Sequence, residues 1–306
     1  MASKGMGLYE YGQAEPARAG RQADGAKRAQ AGRQADSAKE ERGTSRMLSD
    51  QQRREAAEAL MRAAATCKPI PQLSKTYPDM TLEDAYAVQG LWAQALIDRG
   101  GRRVGTKIGL TSRAMQMASK FNEPDYGFLM DEMLFNDGAV IRAAQFSAPR
   151  LEVELAFVMG QDLEGPNARV HDVMRATEFV TPAMEIIDYR TETPRQIVDT
   201  IADNAAAAAM VAGGRTVRPF DVDIRWVGAT LSKNGVIEES GVSAAVMGHP
   251  AAGIAWLVNK LHPLGGKLRK GEIVLAGSFT RPVSVAPGDV IQADFGPLGA
   301  LGVSFA

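Results

Sequence analysis

The segment at residues 149–158, with the sequence PRLEVELAFV, predicts a β-strand that carries two acids on one face. Side chains alternate along a strand, so Glu152 and Glu154 project together, roughly 6.5–7 Å apart, while the apolar residues around them face a core. Two carboxylates this close repel each other unless a cation lies between them, and their hard oxygens suit Mg²⁺ or Mn²⁺. The same pattern also fits the solvated face of an edge strand, and the spacing alone leaves both interpretations open.

A third acid lies within another short apolar run, TPAMEIID at residues 181–188. A charged residue in such a run is seldom buried without a partner. Glu152, Glu154 and Glu185 on two strands would therefore form a three-carboxylate site with open positions for substrate and water. Nothing local in the sequence shows that the two strands meet.

The size and composition of the chain restrict its class. Its 306 residues suffice for one large domain or two smaller ones with a hydrophobic core. No apolar run approaches the ~20 residues of a membrane-spanning helix. The net charge of −1 argues against nucleic acid as a partner. The single cysteine, Cys67, excludes an intrachain disulfide and predicts a reducing, cytoplasmic location, and we interpret it as a small buried hydrophobe.

Residues 1–46 differ in composition from the rest of the chain. They are rich in Ala, Gly, Arg, Gln and Ser, and the sequence AGRQADGAK at residues 19–27 returns as AGRQADSAK at residues 31–39. Such a segment cannot bury enough apolar surface to offset the entropy of ordering, so we predict a disordered low-complexity tail. The folded unit is expected to begin at Met47. Two capping boxes follow, Ser49 with Gln52 and Thr81 with Asp84, each before apolar residues at helical spacing.

Lys107 and Asp125 are polar residues in segments suited to close packing. Lys107 lies in GTKIGLTS at residues 105–112, where neighbouring glycines permit close approach of the backbone. Asp125 lies in the loop EPDYG at residues 123–127, and a loop acid beside a metal can act as a general base. A surface lysine and ordinary turn chemistry explain the same residues.

The C-terminal third predicts short strands joined by tight turns. Asn234-Gly235 between two apolar runs indicates a two-residue hairpin, and GSFTRP at residues 277–282 joins two later strands. Many short strands at this spacing favour a sandwich, roll or barrel. The sequence contains neither a GxGxxG-to-helix signature nor a P-loop, so a nucleotide cofactor is not expected.

Four motifs occur in a fixed order: GTKIGLTS at residues 105–112, EPDYG at 123–127, the acids at 152 and 154 with Glu185, and GSFTRP at 277–282. Together they resemble the hydratase/decarboxylase branch of the fumarylacetoacetate hydrolase superfamily, over about residues 47–306. Each motif alone is weak, whereas the ordered set is specific. Residues 1–46 have no counterpart in the pattern.

The resemblance implies an α+β fold. Its mixed β-roll or sandwich core would occupy residues 136–306, and a smaller N-terminal α/β part at residues 47–135 would contribute Lys107 and Asp125. It also implies a homo-oligomer, Mg²⁺ or Mn²⁺ as cofactor, and a small-molecule 2-oxo dicarboxylate as substrate, with neither nucleic acid nor a membrane as partner.

Carried over by position, the resemblance implies metal ligands Glu152, Glu154 and Glu185 and catalytic groups Lys107 and Asp125. We also predict that Ser278, Thr280 and Arg281 of the GSFTRP segment bind substrate, although a surface arginine beside a proline explains Arg281 equally well. The implied reaction adds water to 2-oxo-hept-ene-1,7-dioate (2-hydroxyhepta-2,4-dienedioate) to give 4-hydroxy-2-oxoheptanedioate, in the catabolism of 4-hydroxyphenylacetate. The second carboxylate of this substrate needs a cation. Arg281 suits that task because its planar fork binds a carboxylate through two hydrogen bonds.

Three alternatives remain open at this point. A 4-oxalocrotonate-type decarboxylase would use the same electron sink for loss of CO₂. A 2-hydroxypentadienoate hydratase would act on a shorter substrate. A noncatalytic β-rich protein would bind a structural cation through the same acids and turn over no 2-oxo acid.

Overall fold

The computed structural model describes residues 47–306, so the tail predicted for residues 1–46 lies outside the described residues. The helices of the described chain are α1 Asp50–Thr66, α2 Leu73–Thr76, α3 Leu82–Asp98, α4 Arg113–Ser119, α5 Val170–Ala176, α6 Ile197–Ala202 and α7 Pro250–Leu261. The strands are β1 Arg103–Gly109, β2 Asp125–Met130, β3 Leu134–Asn136, β4 Val140–Ile141, β5 Arg150–Met159, β6 Thr177–Ile187, β7 Ala207–Ala212, β8 Gly228–Lys233, β9 Val236–Val242, β10 Ile273–Leu275, β11 Val283–Ser284, β12 Val290–Asp294 and β13 Ala300–Phe305.

Helices α1 and α3 begin where the sequence supplies caps. Both predicted capping boxes are present, because the side chain of Ser49 accepts from the backbone N–H of Gln52 and that of Thr81 accepts from Asp84. Each box satisfies backbone donors that the first helical turn leaves without partners. Cys67 ends α1 in the left-handed conformation, with φ 52°, and its side chain is partly rather than fully buried.

The helices brace the strand that carries Asp125. α1 and α3 pack with α6 and β2 in a small apolar core separate from that of the sheets. Gln89 of α3 is buried, and its side-chain amide donates to the carbonyl oxygens of Tyr126 in β2 (2.9 Å) and Ile201 in α6 (2.8 Å). These bonds hold β2 against α6, and with it Asp125 at the first residue of β2.

Asp84 joins the start of the described chain to both long helices. Its Oδ1 accepts hydrogen bonds from the Leu48 backbone N–H (3.1 Å) and from Nε (2.9 Å) and Nη2 (2.7 Å) of Arg53. Its Oδ2 accepts from the backbone N–H and the hydroxyl of Thr81. Burial alone would raise the pKa of Asp84, but these hydrogen bonds more than offset it and hold the pKa below its ordinary value.

The larger sheet has eight strands and carries both acidic strands near its centre. Its order is β2-β1-β10-β5-β6-β7-β3, with β11 pairing with the start of β5. β1 runs parallel to β10 and β3 parallel to β7, and the other pairs are antiparallel. β10 leaves the edge of β5 at Ala156, and β11 rejoins that edge at Leu151. The segment between β10 and β11 therefore passes the edge of β5 beside its two acids.

The smaller sheet has five strands in the order β4-β13-β12-β8-β9. β8 and β9 form the predicted hairpin, in which Lys233 pairs with Val236. Asn234 and Gly235 adopt φ values of 53° and 81°, which is the pair of left-handed residues that a tight hairpin turn requires.

The main core lies against one face of β5. Leu151, Val153 and Leu155 are buried there, as predicted, and pack with the smaller sheet and α7. The opposite face carries the acids and a small apolar cluster of Leu129, Ala156, Ala183, Met210 and Leu275. The alternation along β5 thus separates an apolar face from a charged one.

Several ladders contain register shifts, namely β1–β2, β5–β6, β6–β7 and β8–β9. Such irregularities bend strands and increase their twist, which curls the sheets. The predicted α+β class is confirmed: curled mixed sheets are joined to a small N-terminal helical part. Between residues 47 and 306, none of the helices combines the length and apolar character needed to span a membrane.

Asp84→Asn should destabilise the protein at neutral pH by roughly 2–4 kcal/mol, because an amide cannot accept from all of the donors around it. A carboxylate whose folded pKa is depressed stabilises the fold above its unfolded pKa, near 3.8, and loses that contribution as the pH falls through the folded pKa. Urea unfolding at pH 7 and pH 3.5 should therefore show a difference between wild type and variant that shrinks in acid. A constant difference would contradict an ionic role for Asp84.

Candidate active site

Glu152, Glu154 and Glu185 converge on the charged face of the larger sheet. One carboxylate oxygen from each lies within 4.8 Å of those of the other two. Glu152 of β5 stands directly opposite Glu185 of β6, and Glu154 stands opposite Ala183. Glu154 and Glu185 are fully buried, whereas Glu152 is partly exposed. The register of the two antiparallel strands thus brings Glu185 of β6 to the two acids of β5.

The segment after β10 supplies a donor to this cluster. The backbone N–H of Gly277 donates to Glu154 Oε2 at 2.9 Å. Gly277 adopts φ 115°, and a Cβ atom there would lie 2.2 Å from Thr111 Oγ1. Only glycine therefore brings this N–H to the carboxylate without strain or a clash.

Glu185 has Lys107 as its one charged partner and is otherwise unsatisfied within the described residues. Both of its carboxylate oxygens are buried without a hydrogen-bond partner among residues 47–306, although Lys107 Nζ lies 3.3 Å from Oε1. Orphaned buried oxygens of this kind are costly unless a cation binds them. Three carboxylates whose oxygens have free lone pairs form the donor set that Mg²⁺ or Mn²⁺ prefers. The residues present therefore fit a divalent cation.

Burial and nearby negative charges raise the pKa values of the three acids. Burial, followed by the neighbouring Glu185, raises the pKa of Glu152 to about 8. Burial and the same neighbour raise the pKa of Glu154 well above its usual range, and burial also raises the pKa of Glu185. The acids thus resist ionising together in the absence of a cation.

Lys107 of β1 lies on the same face of the sheet. Lys107 pairs with Leu275 of β10, and Leu275 pairs with Ala156 of β5. Ala156 lies on the same face of β5 as Glu152 and Glu154. The buried ammonium of Lys107 donates to the carbonyl oxygen of Ala205 at 2.8 Å. Burial alone would lower the pKa of Lys107, but Glu185 and the other nearby acids more than offset it and raise that pKa. The lysine is therefore a buried cation.

Asp125 lies beside Lys107 because Gly109 leaves room for both. Asp125 pairs with Gly109 across β1 and β2, and a Cβ atom at residue 109 would lie 2.2 Å from Asp125 Oδ1 and 3.3 Å from Lys107 Nζ. Asp125 is buried, and its Oδ1 has no hydrogen-bond partner within the described residues. Burial raises the pKa of Asp125 to about 6, although Lys107 opposes the shift. A carboxyl poised there can both take up and release a proton near neutral pH.

A left-handed turn before β7 holds the carbonyl that binds Lys107. Asn204, Ala205 and Ala206 have φ values of 54°, 49° and 64°, a conformation that costs roughly 1–2 kcal/mol for each non-glycine residue. The carboxamide of Asn204 offsets this cost by accepting from the Phe128 N–H (2.7 Å) and donating to the Phe128 carbonyl (3.0 Å). The sequence did not lead us to predict this turn, because Asp203-Asn204 before an alanine run is only a weak turn signal.

A buried ion pair fixes the start of the same turn. Arg190, just after β6, pairs with the Asp203 carboxylate at 2.5 Å and donates to the carbonyl oxygens of Asp203 (2.8 Å) and Ala207 (3.1 Å). Its guanidinium also lies 5.0 Å from the ring centroid of Trp92 in α3. A strained backbone conformation persists only where surrounding contacts hold it in place. Here Asn204 bonds to Phe128, and Arg190 bonds to Asp203 and Ala207 on either side of the turn.

Ser278 and Thr280 anchor the segment between β10 and β11 to β5. Thr280 Oγ1 accepts from the Val153 N–H at 3.1 Å, while Ser278 Oγ donates to the Thr280 carbonyl at 2.9 Å and lies 3.3 Å from the Val153 carbonyl. Arg281 lies on the surface with 84% of its side chain exposed, and its Nη2 is 2.7 Å from Glu239. Substrate binding by these three residues stays a prediction.

Residues 103–305 match the family described as fumarylacetoacetate (FAA) hydrolase C-terminal. A 2-oxo-hept-4-ene-1,7-dioate hydratase from Escherichia coli is 48% identical over 256 residues, which cover 81% of this chain and 96% of that protein. A 2-keto-4-pentenoate hydratase from Paraburkholderia xenovorans (strain LB400) is 38% identical over 259 residues, covering 84% and 96%. The solved 4-oxalocrotonate decarboxylase from Pseudomonas putida G7, complexed with magnesium and adipate, is similar at a TM-score of 0.84 and 35% identity, covering 85% of this chain and all of that one (100%).

Mg²⁺ or Mn²⁺ should raise the melting temperature of the protein after treatment with a chelator, because a cation that binds the folded state stabilises it. Glu154→Gln keeps the size of the side chain but removes a charge, and should weaken metal affinity at least about 10-fold. Glu178→Gln, on the exposed start of β6, is the matched control and should retain the full shift. Calorimetry at several metal concentrations measures both quantities. Equal shifts in all three proteins would rule out the carboxylate cluster as the metal site.

Asn204→Ala should lower both stability and turnover, since it leaves the Phe128 N–H unpaired at a cost of about 1–3 kcal/mol and releases the carbonyl that holds Lys107. Asn204→Gly tolerates the left-handed backbone and isolates the contribution of the carboxamide. We expect the glycine variant to be less impaired than alanine in urea unfolding, yet still below wild type. An alanine variant with wild-type stability would show that the turn does not depend on Asn204.

Proposed function

The chain belongs to the fumarylacetoacetate hydrolase family, and from this membership we propose that it is a divalent-metal-dependent hydratase acting on 2-oxo-hept-4-ene-1,7-dioate. The product is 4-hydroxy-2-oxoheptanedioate, and the reaction class is that of a hydro-lyase in the catabolism of aromatic compounds. The observation that carries the proposal is the convergence of three glutamates and Lys107 in a chain 48% identical to such a hydratase.

Glu152, Glu154 and Glu185 would hold the cation, for which we propose Mg²⁺, with Mn²⁺ as the alternative. When bound, the cation supplies a Lewis acid that polarises the 2-oxo acid end of the substrate and stabilises negative charge there. The orphaned oxygens of Glu185 support this assignment.

Lys107 and Asp125 are proposed to act on the substrate directly. Lys107 is held by the carbonyl of Ala205, so its ammonium is oriented towards the acids and donates a hydrogen bond to the 2-oxo oxygen. Asp125, with a pKa of about 6, moves a proton as the dienol converts to the conjugated ketone and orients the water that adds to it. The apolar cluster on the same face, including Leu129 and Leu275, excludes other water from the reacting carbons.

Assembly into a homo-oligomer belongs to the same proposal. Large apolar side chains are exposed on the described chain, among them Phe220 (70%) and Trp226 (60%). Aromatic residues are enriched at interfaces between subunits, which supports burial of these side chains against another copy.

Decarboxylation of 4-oxalocrotonate is the second candidate, because the solved decarboxylase aligns along its whole length with this chain. An ultraviolet assay with 2-hydroxyhepta-2,4-dienedioate, 2-hydroxypentadienoate and 4-oxalocrotonate, followed by mass spectrometry, distinguishes gain of water from loss of CO₂. We expect water addition with the seven-carbon dioate as the best substrate. Metal binding without turnover of any of the three would instead support a noncatalytic cation-binding protein.

Lys107→Met should lower kcat roughly 100-fold or more, the scale of a positioned acid–base group, while the circular dichroism spectrum stays unchanged. Lys270→Met, on the surface, is the matched control and should retain full activity. If Lys107→Met unfolds the protein, the residue has a structural role and its catalytic assignment is wrong.

A further inference from the structure

The charged face of β5 continues outward from the glutamates to an arginine. Arg150, Glu152 and Glu154 alternate along one strand, so their side chains share a face, with about 6.5–7 Å between successive positions. Exposure rises along this row, since Glu154 is buried, Glu152 partly exposed and Arg150 exposed. The row therefore points from the buried end of the site towards its opening. Arg150 forms no side-chain hydrogen bond or ion pair within residues 47–306.

A second arginine lies on the loop that follows β6. The guanidinium of Arg195 stacks over the ring of Tyr189 at 3.7 Å from its centroid, and donates from Nε (2.9 Å) and Nη2 (2.6 Å) to the carbonyl of Thr191. Arg195 is partly buried, yet it has no carboxylate within ion-pair distance in the described chain. A partly buried cation without an acidic partner is a natural anion-binding group.

Tyr189, whose ring lies under Arg195, follows the strand that pairs with Arg150. Arg150 pairs with Ile187 at the end of β6, and Tyr189 follows two residues later in the chain. Burial raises the pKa of Tyr189, and the charges that act on it include Lys107, Glu152 and Arg195. Arg150 in turn acts on both Glu152 and Arg195. The tyrosine ring, which stacks against the guanidinium of Arg195, is thus close enough to Lys107 and Glu152 for their charges to act on it.

We propose that Arg150 and Arg195 form a carboxylate subsite that binds the far end of a dicarboxylate whose 2-oxo acid end lies at the three glutamates. The inference rests on the proposed function. Arg150 is close enough to Arg195 for its charge to act on it. The planar forks of the two arginines can contact one carboxylate, which excludes neutral chain ends by leaving both cations unpaired. Arg281 is less suited to this task because its guanidinium already pairs with Glu239.

Saturated analogues test the subsite without turnover. The probes are 2-oxoheptanedioate, which has the far carboxylate, and 2-oxopentanoate, which lacks it, with calorimetry in the presence of Mg²⁺ as the measurement. Wild type should prefer the dioate by roughly 10- to 100-fold, the scale of a hydrogen bond to a charged group. Arg150→Met and Arg195→Met should each lose most of this preference and leave the affinity for 2-oxopentanoate within about threefold of wild type. Arg269→Met, on an exposed turn before β10, is the matched control and should keep the preference.

Each result has a distinct meaning. Wild type that binds both analogues equally, or arginine variants that keep the preference, would overturn the subsite but leave the 2-oxo acid site intact. Wild type that binds neither analogue would overturn the proposed function and the subsite together. Because Arg150 is exposed and without side-chain partners, its variant should fold normally, and the test remains decisive even if Arg195→Met is unstable. Arg195→Lys, which keeps the charge but not the fork, should restore part of the preference.

Discussion

Three carboxylates and one ammonium share one face of the larger sheet. Their excess of negative charge determines which groups can pack beside them. Like charges in a dry environment raise one another's pKa and oppose folding unless a cation joins them. The chain itself supplies little compensation: the Gly277 N–H reaches Glu154, while the oxygens of Glu185 remain without hydrogen bonds among the described residues. A face built in this way costs stability until a cation binds to it.

The same charge imbalance explains why Lys107 is held by a backbone carbonyl. Glu185 already lies within ion-pair distance of the ammonium, and a further carboxylate would add another negative charge to a cluster that has an excess of them. The carbonyl of Ala205 orients the lysine without changing the net charge. The cost is a strained left-handed turn, which Asn204 and the Arg190–Asp203 pair hold in place from its two ends.

Sequence reasoning succeeded where the signals were local. The caps at Ser49 and Thr81, the hairpin at Asn234 and the two faces of β5 each depend on neighbouring residues, and the structure contains all of them. The pairing of Glu152 with Glu185 depends instead on the register of two strands, which no short pattern encodes. The turn that holds Lys107 was not predicted for a related reason: alanines seldom adopt left-handed conformations, so an alanine run gives no local signal of such a turn.

The row formed by Glu154, Glu152 and Arg150 suggests how one scaffold serves several substrates. At its buried end, side chains are fixed by strands in the middle of the sheet, so the groups that we propose to act on the 2-oxo acid cannot move independently of the core. At its exposed end, the groups lie on a strand terminus and on the loop that carries Arg195, where substitutions disturb little packing. On the proposed assignments, chemistry and substrate length are determined at opposite ends of the same strand, so the far end could change while the reaction centre is preserved.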